Sequence, residues 1–171
     1  MFVAIIGRKE HLMKSFYRFV ALAMVAAGAM AQAPTVRVGT FHKPSVVTAF
    51  YRSPLWAEQI KQKMAERNAA RTANDTKRVQ ELEAWGARHQ ELAHQQLAGA
   101  ASIANILDSL TRAMPEIAVK ARVAGIAVDL LYSDPHIETV DVTEQILDWL
   151  QADESTRKIV QELRRHPVRE H

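Results

Sequence analysis

The stretch from Pro54 to Leu97 constrains the fold more than any other part of the chain. It consists mostly of Ala, Glu, Gln, Lys, Arg, Leu and Met, all strong helix formers. After Pro54 it contains no further proline and a single glycine, Gly86. Trp56, Ile60 and Met64 recur at i, i+4 and i+8, which marks one helical face, and Val79, Leu82 and Trp85 follow at spacings of three. Leu92 and Leu97 come later with a less regular gap. Between the two sets lies Thr72-Ala73-Asn74-Asp75-Thr76, residues that bend the backbone or cap helices. The pattern predicts a helical hairpin over about residues 54–98, out along 56–72 and back along 75–98, with Asn74 or Asp75 as the second N-cap. Each arm would be about 25–35 Å long. The alternative is one continuous helix with a polar patch.

The chain begins with a different grammar. Lys14 and Arg18 precede the apolar run Phe19 to Ala27, and Ala29-Met30-Ala31 supplies small residues at a cleavage position. Residues 1–31 therefore read as a secretory signal peptide, with Met13 as the natural start and residues 1–12 as an over-extended one. A membrane anchor is the other reading, but the run is short for a span. No cysteine follows the run, which argues against a lipoprotein. The leader holds four of the 22 basic residues and one of the 19 acidic ones, so 18 of each remain after it. The basic character of the whole chain is largely that of the leader, and nucleic-acid binding is not expected. Export predicts a periplasmic protein, and the absence of cysteine means a fold without disulfides.

The remaining neutral chain is segregated. Residues 32–72 carry seven basic side chains and two acidic ones, whereas 99–155 carry three basic and ten acidic. Lys61, Lys63, Arg67 and Arg71 make the first arm basic. It could face an acidic client or a membrane surface, or simply balance the acidic remainder within the molecule. Tyr51 and Trp56 could line a binding cavity at the base of the arm, with core packing as the alternative.

Around the hairpin the chain reads as a small α+β body. Val36, Val38 and Thr40 alternate with Arg37 and Gly39, predicting a strand. Pro44 or Ser45 opens a short helix carrying Val46, Val47, Phe50 and Tyr51, and Ser53-Pro54 starts the first arm. Gly99 breaks the second arm. Ile103, Ile106, Leu107 and Leu110 mark a buried helix face, with Ser102 as a possible cap. Pro115 starts another helix that Gly125 is expected to end. Ile126 to Tyr132 is mostly apolar and predicts a second, central strand. A third strand is expected at 139–142. Asp141 or Thr143 caps a helix with Ile146, Leu147 and Leu150, Asp141 with Glu144 fitting a capping box better. A last helix spans Thr156 to Arg165 and ends at His166-Pro167. The whole is a single domain over residues 32–171.

Catalytic signatures are missing from the sequence. It contains no G-x-S-x-G, no H-E-x-x-H and no glycine-rich phosphate loop. His89 and His94 are five residues apart and fall on different helix faces. His136 beside Asp134 sits in a turn. Neither an enzyme, nor a cofactor, nor a metal site is expected.

Several of these pieces together resemble the OmpH/Skp family of periplasmic chaperones. They are the leader, the strand Val36-Arg37-Val38-Gly39-Thr40, and the Ser53-Pro54 step into a long helix with Lys61 and Lys63. Leu130-Leu131-Tyr132 and the run Val140-Asp141-Val142-Thr143-Glu144-Gln145-Ile146-Leu147 complete them, the latter being similar to the family's D-[LV]-T-x-x-[IVL]-[IVL] ending. The resemblance covers most of residues 36–150. It implies a homotrimer with a strand-rich body and coiled-coil-like hairpin arms around a cavity. It further implies an ATP-independent holdase for unfolded outer-membrane or envelope proteins, with Tyr51, Trp56, Lys61, Lys63, Arg67 and Arg71 as client-binding residues. Two departures stand out: the arms are shorter than those of the classical chaperone, and the chain after the leader is neutral rather than strongly basic. They leave room for a non-catalytic envelope adaptor that binds one specific partner through its arms.

Overall fold

The computed structural model describes residues 35–165. The expected signal peptide, and the expected helix stop at His166-Pro167, lie outside them.

The described chain is mixed α and β, with seven helices and a three-stranded parallel sheet. Helices account for 64% of it, so helix packing rather than the sheet builds the core. Strand β1 is Val36–Thr40. Helix α1 (Lys43–Tyr51) follows, with proline in its first turn. Next come the two long helices, α2 (Pro54–Thr72) and α3 (Thr76–Leu97), of 19 and 22 residues. At 1.5 Å per residue they are about 28 and 33 Å long. Helices α4 (Ala104–Leu110) and α5 (Met114–Ala121) lead to strand β2 (Gly125–Ile126). Strand β3 (Ile137–Asp141) then precedes α6 (Thr143–Trp149) and α7 (Glu154–Arg165).

Helix α1 is the hub of the body. Ser45, Val46, Val47, Ala49 and Phe50 are all buried, because α3, α6 and α7 pack around it. The core joins this face to Ile103, Ile106 and Leu110, to Ile117, to Val142, Ile146, Leu147 and Leu150, and to Val160. The one polar side chain on the buried α1 face is matched: Ser45 Oγ lies 2.6 Å from His42 Nδ1. Arg52 Nε donates to Thr156 Oγ1 at 3.0 Å, tying the end of α1 to the start of α7.

The sheet departs from expectation in its order. β1, not the apolar run 126–132, is central, and the order is β2-β1-β3. β3 pairs with all five residues of β1, from Val36 opposite Ile137 to Thr40 opposite Asp141, and β2 pairs only through Val38 and Gly39. Gly39 is what lets the layers close. A Cβ there would lie 3.1 Å from Ile126 Cγ1 and 3.2 Å from Val142 Cγ1. The run 126–132 pairs over one residue because β1 stops at Thr40 and turns into α1, leaving no strand opposite Leu130 to Tyr132. Lys43 at the start of α1 instead holds Asp129 at 3.0 Å. Leu130, Leu131 and Tyr132 are consequently exposed, Leu131 and Tyr132 at 102% and 77%.

Local boundaries also move: β3 spans Ile137–Asp141 rather than 139–142, and α7 begins at Glu154 rather than at Thr156. Helix α5 ends at Ala121 rather than at Gly125, with Arg122 in the left-handed region (φ 54°). Arg37 Nη1 caps it by donating to the carbonyls of Ala121 and Arg122 at 3.0 and 3.3 Å, where a cation also suits the helix dipole. At the start of α6, Asp141 Oδ1 accepts from the amide of Thr143 at 2.8 Å, but Glu144 does not complete a capping box. It pairs with Arg157 of α7 at 2.8 Å.

Candidate functional site

The two long helices are separate, and their junction explains why. Asp75 caps α3 by accepting from the amide of Arg78 at 2.9 Å, and Asn74 adopts φ 55°, a conformation asparagine tolerates better than most residues. At the other end of α2, Ser53 Oγ accepts from Trp56 N. Polar contacts join the pair near its tip: Arg71 Nη2 to Glu83 Oε1 at 2.8 Å and Arg78 Nη2 to Glu66 Oε2 at 2.7 Å. Lys63, foremost, and Arg78 hold the Glu66 carboxyl below its ordinary range.

An aromatic cluster fills the base of the pair. Tyr51 and Trp56 meet edge to face at 5.0 Å, and Phe50 lies 5.3 Å from Tyr51. Trp56 stacks on Trp85 at 6.0 Å and on His89 at 5.7 Å, while His89 sits 4.1 Å from Trp85. His89 Nδ1 is 2.8 Å from the Trp85 carbonyl, which only accepts, so Nδ1 carries the proton there. Burial pushes the Tyr51 hydroxyl up, and this hydroxyl donates to Gln96 Oε1 at 2.8 Å. Gln96 is buried. Its amide donates to the Ser102 carbonyl and to Asn105 Oδ1, each at 2.6 Å. Gln96 thus locks the end of α3 onto α1 and α4.

Above this base, the face between α2 and α3 opens into a groove of about 240 Å³. Ile60, Met64, Leu82 and Trp85 form apolar walls, Lys63 and Arg67 add two cations, and Glu83 and Gly86 complete the lining. Nothing lies within 4 Å of where a Gly86 Cβ would stand.

The six residues singled out from the sequence therefore divide. Tyr51 and Trp56 share the aromatic base, where both are partly buried against the core. Lys63 and Arg67 share the groove. Lys61 is exposed beside Glu58 at 3.7 Å and lines neither feature. Arg71 lies toward the tip, bonded to Glu83. Trp85, Gly86, His89 and Gln96 were not singled out for the site. Trp85 and His89 do stand four apart on one helical face, a spacing that signals a contact, but Gln96 looks like any polar helix residue until Tyr51 and Asn105 are brought to it.

Elsewhere, a cavity of about 190 Å³ is lined by Lys43, Leu97, Ser102, Ile103, Leu107 and Asp129 among others. Among the described residues no group of three or more His, Asp or Glu is placed to hold a metal ion. Nor is any described helix long and apolar enough to cross a membrane. In comparisons with known proteins, no family model, no curated protein and no solved structure matches the chain.

Proposed function

We propose that this protein is an ATP-independent periplasmic holdase of the OmpH/Skp type, binding unfolded envelope proteins on a projecting, coiled-coil-like hairpin formed by α2 and α3. The observation that carries this reading is the openness of the pair. Of its 19 and 22 helical residues, only Ala70, Leu82 and Gln96 are buried. A helix pair that buries so little of itself leaves surface for a partner. Leu55 and Met64 are exposed on α2 at 43% and 50%, beside the cations Lys61, Lys63, Arg67 and Arg71, and mixed apolar and basic surface suits an unfolded chain. The exposed Leu130-Leu131-Tyr132 run offers an apolar surface for self-association.

Two measurements test the reading. Light scattering should give three times the protomer mass, and equimolar trimer should suppress aggregation of an unfolded β-barrel protein at low salt. A stable monomer removes the cavity, and unchanged aggregation at equimolar trimer removes the holdase.

A second reading is favoured by the internal pairing of the arm. Lys63 is bonded to Glu66 and Arg71 to Glu83, which leaves less positive charge for general capture. An envelope adaptor recognising one folded partner fits that arrangement. A pull-down yielding a single stoichiometric folded partner, with no protection of unfolded proteins, would select it.

A further inference from the structure

We infer that the groove between α2 and α3 is a pocket for one side-chain pair of a bound polypeptide, an aromatic ring together with a nearby carboxylate. The inference rests on reading the helix pair as the client-binding element, and it specifies which chemistry that element recognises.

Three observations converge on the groove. The first is its size. A cavity of about 150 Å³ accepts a benzene ring, and this one is about 240 Å³, with Ile60, Met64, Leu82 and Trp85 as walls. Trp85 offers an aromatic wall against which a second ring can stack. The second is Gly86. A glycine inside a helix lowers helix stability relative to alanine, and this one leaves open space where a side chain would stand. Gly86 lines the groove, so a side chain there would take up part of its space.

The third is Arg67. Lys61, Lys63 and Arg71 on the same helix each have an acidic partner, Glu58, Glu66 and Glu83 respectively. Arg67 has none among the described residues, and its Nε is buried without a hydrogen-bond partner. A guanidinium with its Nε unmatched, beside apolar groove walls, is complementary to a carboxylate, which it binds in a directional, charge-assisted way. The occupant is therefore a segment carrying an aromatic residue with an aspartate or glutamate one or two positions away. Unfolded β-barrel chains present aromatic residues, which form their interfacial girdles once folded.

The test uses a fluorescein-labelled unstructured peptide containing phenylalanine followed two residues later by glutamate. Two matched peptides replace the glutamate by glutamine or the phenylalanine by serine. Binding to the protein is read by fluorescence anisotropy. Gly86→Leu fills the groove with a better helix former and should weaken the parent peptide by about tenfold or more while the melting temperature holds or rises. Met64→Ser, at a half-exposed position, alters the same wall outside the core and should weaken it severalfold. Arg67→Gln should weaken the glutamate peptide by about three- to tenfold and leave the glutamine peptide unchanged, a coupling that loss of structure would not produce.

Equal affinity of the wild-type protein and both groove variants overturns the inference. So does equal loss on both peptides with Arg67→Gln, or a fall in solution mass with Gly86→Leu, which would make a second copy the occupant. If aggregation suppression survives in Gly86→Leu and peptide binding is unaffected, the groove assignment fails and the holdase reading stands. If groove-dependent peptide binding is found but no aggregation suppression, the holdase reading fails and the groove stands.

Discussion

The body and the helix pair are stabilised by different means. In the body, Phe50, Ile106, Leu110, Ile146, Leu147, Leu150 and Val160 are almost fully removed from water and pack into one cluster. In the pair, Trp56 and Leu97 reach that cluster only partly buried, Ala70 and Leu82 are buried outside it, ion pairs and an aromatic stack join the two helices, and the Gln96 hydrogen bonds tie α3 to α1 and α4. Apolar burial closes a surface and saturates it. A pair joined by polar contacts at its tip and aromatic contacts at its base keeps its flanks available. On the proposed function, stability resides in the body and recognition in the pair, and that division can be attacked from both sides.

The largest effect is expected where the body is cut. Phe50→Ala should cost about 3–5 kcal/mol, because it opens a cavity between α1 and its neighbours. Chemical denaturation measures it, and a loss below about 1 kcal/mol would mean that α1 is not the hub. Next is the joint between the regions. Gln96→Ala leaves the Tyr51 hydroxyl, the Ser102 carbonyl and Asn105 without their partner, with an expected loss of about 1–3 kcal/mol. Hydrogen exchange should show the end of α3 loosened while α6 and α7 stay protected.

A pH series separates the regions without mutation. Burial, then Arg164, holds the His42 pKa below its ordinary value, against an opposing pull from Asp141. The unfolded histidine takes up its proton first as pH falls. Its contribution is present above about pH 6.5 and is lost as pH drops through the window below that value. Burial pushes the Asp141 carboxyl up, but its hydrogen bonds with Thr143 and the Arg164 guanidinium outweigh that and leave it below the usual range. Its contribution is present above about pH 4 and is lost on further acidification. His42→Gln should flatten the upper part of the stability profile and Asp141→Asn the lower. Substitutions in α2 and α3 should leave the upper part unchanged, whereas Glu66, whose carboxyl is also held below its usual range, shares the acid window with Asp141. The smallest effect is expected at the tip: Glu83→Gln removes an exposed ion pair and should cost less than about 1 kcal/mol in a thermal melt.

Legibility in the sequence follows the same division. Period and punctuation exposed most of the body: the strand β1, the α1 face Val46, Val47 and Phe50, the α4 face Ile106 and Leu110 with Ile103 just before it, and the α6 face Ile146, Leu147 and Leu150. Within β1 the expected alternation does not hold, since Val36 is exposed and Gly39 buried. The caps Ser53 and Asp75 placed both long helices. What misled was the apolar run Ile126 to Tyr132. Hydrophobicity reports a wish for burial, but a strand also needs a partner, and β1 ends too soon to provide one. In the candidate site, Tyr51, Trp56, Lys63 and Arg67 were recognisable as residue types. The groove itself was not, because Gly86 gains meaning only when α2 is laid beside it, and Arg67 differs from Lys63 only once its neighbours are known.

The most direct test of the account is hydrogen–deuterium exchange of the protein with and without an unfolded β-barrel protein. The division of labour predicts that added protection concentrates on α2 and α3, centred on residues 60–67 and 82–86, with the amides of α6 and α7 unchanged. Protection gained in the body alone, or nowhere, would contradict it.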